Sequence, residues 1–71
     1  MGKYNTLWEH VQKNGNPKIK LTFEKIRDIT GFEIDHSFLN YKKELTEYGY
    51  QVSKISLKEK TVIFNKMEVT I

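Results

Sequence analysis

The chain has 71 residues and no cysteine, with 12 Lys or Arg against nine Asp or Glu for a net charge of +3. That length allows one small domain with a thin core. The missing cysteine excludes disulfide staples and thiolate metal sites and gives no reason to expect secretion. The modest positive charge points to an anionic partner only where the basic residues collect on one face.

Four Phe, four Tyr and one Trp supply much of the apolar content. Large rings bury more area than aliphatic side chains, which suits a thin core. The opening "MGKYNTLWEH" lacks the apolar stretch of a signal peptide. No apolar run approaches the length that spans a bilayer. A soluble cytoplasmic protein is expected.

In "YNTLWEHVQKNG", Tyr4, Leu7, Trp8 and Val11 share one helical face. Thr6 and Glu9 have the spacing of a capping box, with Asn5 as the other candidate cap. Asn14, Gly15, Asn16 and Pro17 end the helix. "KIKLTF" then alternates Ile19, Leu21 and Phe23 with Lys18, Lys20 and Thr22, a strand with one buried face. Its shortness places it at a sheet edge, where its lysines discourage pairing with other chains.

A second helix follows, with Thr22 as N-cap and Glu24 in its first turn. Phe23, Ile26, Ile29 and Thr30 form its inner face, and Gly31 takes the left-handed position that ends it. "IDHSFLNYKKELTEYG" reads as a longer third helix capped by Asp35 or Ser37. Its inner stripe is Phe38, Tyr41, Leu45 and Tyr48, with Ile34 in line. His36, Asn40, Lys43 and Glu47 fall on the opposite face at 100° per residue. Gly49 ends it.

Tyr50 and Val52 then alternate in one phase, and Ile55 and Leu57 in the other. A bulge near Ser53–Lys54 reconciles the two. "LKEKT" is a polar turn and "TVIFN" the return strand. The tail "KMEVTI" either extends that strand or frays. No repeat, low-complexity segment or linker interrupts the chain, so residues 1–71 form one domain with a core at about 4–65 and a tail at 66–71.

The predicted fold class is α+β: three helices with a three-stranded antiparallel sheet in the order α-β-α-α-β-β. From Tyr4 to about Phe64 this order resembles winged helix-turn-helix domains. The chain also resembles a small uncharacterised bacterial domain family. The residues that carry the resemblance are Lys3–Tyr4 with Leu7, "LTFEKIRDITGF", Ser37, "GYQV" and "VIF" at Val62 to Phe64.

The winged-helix resemblance implies binding to double-stranded DNA and a small bacterial or phage regulator. The second helix of such a motif lies in the major groove, where base edges present a readable donor and acceptor pattern. The implied contact set is His36, Ser37, Asn40, Lys42, Lys43, Lys54, Lys58 and Lys60. Asn40 suits a bidentate pair with adenine, and Lys43 suits guanine or a phosphate. His36 and Ser37 lie near the helix start. Lys58 and Lys60 lie on the wing, and Lys54 joins them if its strand faces the right way. Lys18, Lys20, Lys25 and Arg27 add to the same field. One such domain covers little DNA, so a homodimer or a protein partner is expected.

The alternative is a protein-interaction module on the same scaffold, without DNA binding. Leu39 lies about 100° from Phe38, off the inner stripe. It either packs under the sheet or is exposed to a partner, and Tyr50 is the candidate to join it. Catalysis has little to stand on. His10 and His36 sit on different helices, and no metal-ligand spacing or phosphate-cradling glycine loop occurs. Asp28, Glu33 and Asp35 each have a capping or solvated-face explanation. No catalytic residue, metal, small-molecule cofactor or membrane partner is expected.

Overall fold

The computed structural model describes residues 3–67. Its elements are α1 (Asn5–Asn14), β1 (Lys18–Thr22), α2 (Phe23–Thr30), α3 (Ser37–Tyr41), a 3₁₀ segment (Lys42–Tyr48), β2 (Tyr50–Ser56) and β3 (Thr61–Lys66). The class is α+β, with three α-helices beside one antiparallel sheet of order β1-β3-β2.

The apolar face of α1 is fully buried through Leu7, Trp8 and Val11, with Tyr4 just ahead of it. The expected side-chain caps do not form. The Trp8 N–H donates to the Tyr4 carbonyl at 3.0 Å, which places Asn5 and Thr6 inside the helix and leaves no capping box with Glu9. The Tyr4 ring fixes the start instead. It meets Phe32 and Phe38 edge-on at 5.3 Å each and lies tilted to Trp8 at 5.7 Å. Such aromatic pairs contribute about 0.5–1.5 kcal/mol beyond the area they bury.

β1 is an edge strand, with Ile19 and Leu21 inward and Lys18, Lys20 and Thr22 exposed. It runs into α2 without a loop. The Thr22 hydroxyl accepts from the Lys25 N–H at 3.0 Å, the expected N-cap. The Phe23 N–H, another donor without a helical partner, reaches the Lys60 carbonyl at 2.8 Å. The hairpin therefore caps α2. Gly31 ends α2 at φ +87°, where its N–H donates to the Arg27 carbonyl at 2.7 Å.

The long third helix is the main departure from expectation. The α-helical part covers only Ser37–Tyr41, and the tighter 3₁₀ form takes over from Lys42 to Tyr48. His36, not Asp35 or Ser37, takes the N-cap position and makes no side-chain cap bond; one residue earlier, the Asp35 carboxylate accepts the Ser37 N–H at 2.9 Å and also the Ser37 hydroxyl. Further on, the Thr46 hydroxyl donates to the Lys43 carbonyl at 2.8 Å and competes for an acceptor that the α form needs. The Gly49 N–H closes on both the Leu45 and Thr46 carbonyls.

β2 pairs with β3, and their register slips between Val52 and Lys54, where the bulge is expected. The Lys66 N–H bonds the Pro17 carbonyl and the Met67 N–H the Gly49 carbonyl, each at 2.8 Å, so the ladder continues into the tail. The rest of the expected tail, 68–71, lies outside the described residues.

Candidate functional site

The expected outward face of the third helix assumed 100° per residue throughout. In a 3₁₀ helix residues three apart eclipse, so the faces rotate after Tyr41. Lys42, Leu45 and Tyr48 form an inward column, in which Leu45 is buried and the other two are half-buried. Lys43 and Thr46 form the exposed column. Glu44 and Glu47 form the third, and the Trp8 indole N–H donates to Glu44 at 3.2 Å. Glu44 is thereby turned toward the core. His36, Asn40 and Lys43 remain exposed, but Glu47 leaves their column. Ser37 is half-buried, with its hydroxyl donor committed to Asp35.

The exposed Asp35 joins the chain start to α3. Its carboxyl is held below the usual carboxylate range, first by the Ser37 hydroxyl and backbone N–H, then by Lys3 at 3.4 Å. The Lys3 ammonium also lies over the rings of Phe32 and Tyr4, 5.0 and 5.6 Å from their centroids.

Lys54 belongs to another surface. It pairs with Ile63, which in turn pairs with Lys20, and one row along Gln51, Asn65 and Lys18 align. Cross-strand partners share a face, so Lys18, Lys20 and Lys54 lie on the outer face of the sheet. Lys58 and Lys60 are exposed on the hairpin, as expected.

Tyr50 does not join Leu39 at the surface. It is 2% exposed, and its hydroxyl donates to the Asn16 carbonyl at 2.7 Å. It opens β2 in the inward phase of Val52, ahead of the bulge. Leu39 does not pack under the sheet; it is 51% exposed. Leu57, expected to share the phase of Ile55, leaves the strand at the turn and is 78% exposed.

Leu39 and Leu57 line one open groove of about 760 Å³ between the start of α2, the loop before α3, and the hairpin. Phe23, Ile34, Phe38 and Ile55 form the rest of its apolar lining. Glu24, Arg27, Glu33, Asp35, His36 and Lys60 supply its polar lining. The groove brings together His36, Leu39 and Lys60 from the sequence candidates. Asn40, Lys42, Lys43, Lys54 and Lys58 do not line it. The sequence places Leu57 both in the strand phase of Ile55 and at the start of the "LKEKT" turn; the structure takes the turn, and the groove itself depends on tertiary packing that neither pattern encodes.

Three ion pairs form among the described residues: Lys3–Asp35, Lys20–Glu59 and Arg27–Glu33, at 3.4, 3.5 and 3.5 Å. Lys42, Lys43, Lys54, Lys58 and Lys60 have no such partner there. No group of three His, Cys, Asp or Glu among the described residues is placed to hold a metal ion. No helix among them is long and apolar enough to cross a membrane. No family model, curated protein or solved structure significantly matches the chain.

Proposed function

We propose that the chain is a winged-helix domain that binds double-stranded DNA, as a small bacterial or phage regulator. In this reading α3 enters the major groove and the β2–β3 hairpin follows the phosphates. The observation that carries it is the distribution of charge. Lys3, Lys20 and Arg27 pair with carboxylates, while Lys42, Lys43, Lys58 and Lys60 on the 3₁₀ segment and the hairpin have no acidic partner among the described residues; nor do Lys13, Lys18, Lys25, Lys54 and Lys66 elsewhere on the chain. The helix and strand order, with β3 at the centre of the sheet, supports the same reading.

Asn40 is the side chain suited to adenine, and Lys43 is suited to guanine or phosphate. Lys58 and Lys60 on the hairpin add phosphate contacts, whereas Lys42, half-buried in the inward column, is turned away from this face. Lys54, beside Lys18 and Lys20, strengthens the general attraction from the outer sheet face. The test is fluorescence anisotropy of a mixed-sequence duplex titrated with the protein at two salt concentrations. Three lysine–phosphate contacts give a log–log salt slope of about −2.7, a weakening of about 40-fold from 50 to 200 mM salt. A folded protein that binds no duplex at low salt refutes the proposal.

A second reading, a protein-docking module, draws on a different observation: Leu39 and Leu57 are exposed within one apolar groove.

A further inference from the structure

The charges of the chain are not spread evenly over its two layers. Among the described residues the strands and their hairpin carry Lys18, Lys20, Lys54, Lys58, Lys60 and Lys66 against a single carboxylate, Glu59. Every other described carboxylate lies on a helix, on the 3₁₀ segment or in the loop before α3. The 3₁₀ segment sets Lys42 and Lys43 against Glu44 and Glu47, so the stretch after α3 is close to neutral. The excess of positive charge therefore belongs to the sheet layer.

Three of its lysines share the outer face. The inner face holds Ile19, Leu21, Val62 and Phe64 in the core with Trp8, Ile26 and Leu45, so the outer face points away from the helical layer. Lys20 and Lys54 stand on the two edge strands, on either side of Ile63. Two strand spacings separate their backbones by about 10 Å. Lys18 lies two residues before Lys20, about 7 Å along the strand. All three are exposed. Gln51 and Asn65 pair in the next row and add amide donors. Glu59 meets Lys20 at 3.5 Å, but both side chains are more than half exposed, and such pairs contribute little.

This composition points to one kind of partner. A membrane surface takes apolar side chains, and the one apolar residue of the face, Ile63, is half-buried. A single strand takes aromatic rings on which its bases stack, and no Phe, Tyr or Trp lies on this face. A duplex backbone needs neither. It presents a regular array of phosphates, which lysines and amide donors satisfy. We infer that the outer face of the sheet is a second surface for double-stranded DNA, one that holds the backbone without reading sequence. It points away from α3, so a duplex lying on it is not the duplex whose bases α3 reads. The inference shares its partner with the proposed function but does not rest on α3 entering a groove.

The experiment is fluorescence anisotropy of a short mixed-sequence duplex at two salt concentrations, with circular dichroism to confirm folding. Two combined variants are compared with wild type. One carries Lys18→Gln, Lys20→Gln and Lys54→Gln on the sheet, and the other Asn40→Ala and Lys43→Ala. Lys58 stays in both, because the hairpin borders both surfaces: Leu57 and Lys60 line the groove beside α3, and Glu59 reaches Lys20. The sheet variant is expected to bind about tenfold or more weakly at low salt, with a log–log slope shallower by about 2.7 for three lost phosphate contacts. The Asn40 and Lys43 variant is expected to keep its affinity for this duplex. A sheet variant that binds like wild type overturns the inference and leaves the proposed function standing. Loss of binding in the Asn40 and Lys43 variant also overturns it, because the sheet then holds no duplex by itself. Loss in the sheet variant alone supports it and takes α3 out of backbone binding. A wild-type chain that binds phosphatidylserine vesicles but no duplex overturns both this inference and the proposed function.

Discussion

Lys60 is the one described non-glycine residue with positive φ, at +56°. For an L-residue this left-handed conformation costs about 1–2 kcal/mol relative to glycine. The site persists because its carbonyl accepts the Phe23 N–H at 2.8 Å and so caps α2. Lys60→Gly removes the steric cost and keeps the carbonyl in place. Glycine also makes the unfolded chain more flexible, which returns about 0.4–1 kcal/mol of the gain. The net expectation is a stabilisation of about 0.5–1 kcal/mol. For a domain of this size that raises Tm by about 2–8 °C. Lys60→Ala keeps the strain and is expected to be near neutral. Lys60→Val adds a β-branch at a position that tolerates it poorly and destabilises the fold. Thermal unfolding followed by circular dichroism gives the order directly. If Lys60→Gly is less stable than wild type, or if Val is tolerated as well as Gly, the strained-cap account is wrong. The side chain and the carbonyl would also have separable roles, since Lys60→Gly deletes a groove charge while strengthening the fold.

Glu44→Ala leaves the buried Trp8 indole N–H without its 3.2 Å acceptor and is expected to destabilise the fold by about 1–3 kcal/mol. Denaturant unfolding followed through the single Trp measures this, and Glu44→Gln, which keeps an acceptor oxygen, should recover part of the loss. Asp35 has its carboxyl lowered in the fold, so the stability it contributes is present above the unfolded pKa and is lost as pH falls through the folded one. Below about pH 4 the wild-type chain should therefore lose stability that Asp35→Asn, already without the charge, does not lose. Equal acid sensitivity in both chains would remove Asp35 from the account.

Much of the fold was legible because local rules and core burial agree. The period of two in "KIKLTF", the Thr22 cap, the turn at Gly31 and the phase change at Ser53–Lys54 all correspond to features of the structure. The third helix was misread for a physical reason. Phe38, Tyr41, Leu45 and Tyr48 satisfy a helical stripe, and a burial pattern alone does not separate the α form from the 3₁₀ form. The Thr46 hydroxyl at the Lys43 carbonyl accompanies the 3₁₀ form, a contact that no periodicity encodes. The cap of α1 failed for a related reason, since the Tyr4 ring cluster is tertiary. The candidate site was legible as a set of residue types, but not in its grouping. That depended on where Leu57 leaves the sheet and on the register that aligns Lys54 with Lys20 across Ile63.

DNA binding through lysines draws on counterion release and so weakens steeply with salt. Lys58→Ala removes one expected phosphate contact, and the log–log salt slope should then fall by about 0.9 while binding weakens alike on every sequence. Asn40→Ala is expected to act differently, lowering affinity for a preferred site and leaving the salt slope in place, because a base contact releases no counterion. Both variants change exposed side chains, so circular dichroism should show the wild-type fold. A salt slope that Lys58→Ala leaves unchanged would take the hairpin off the phosphates.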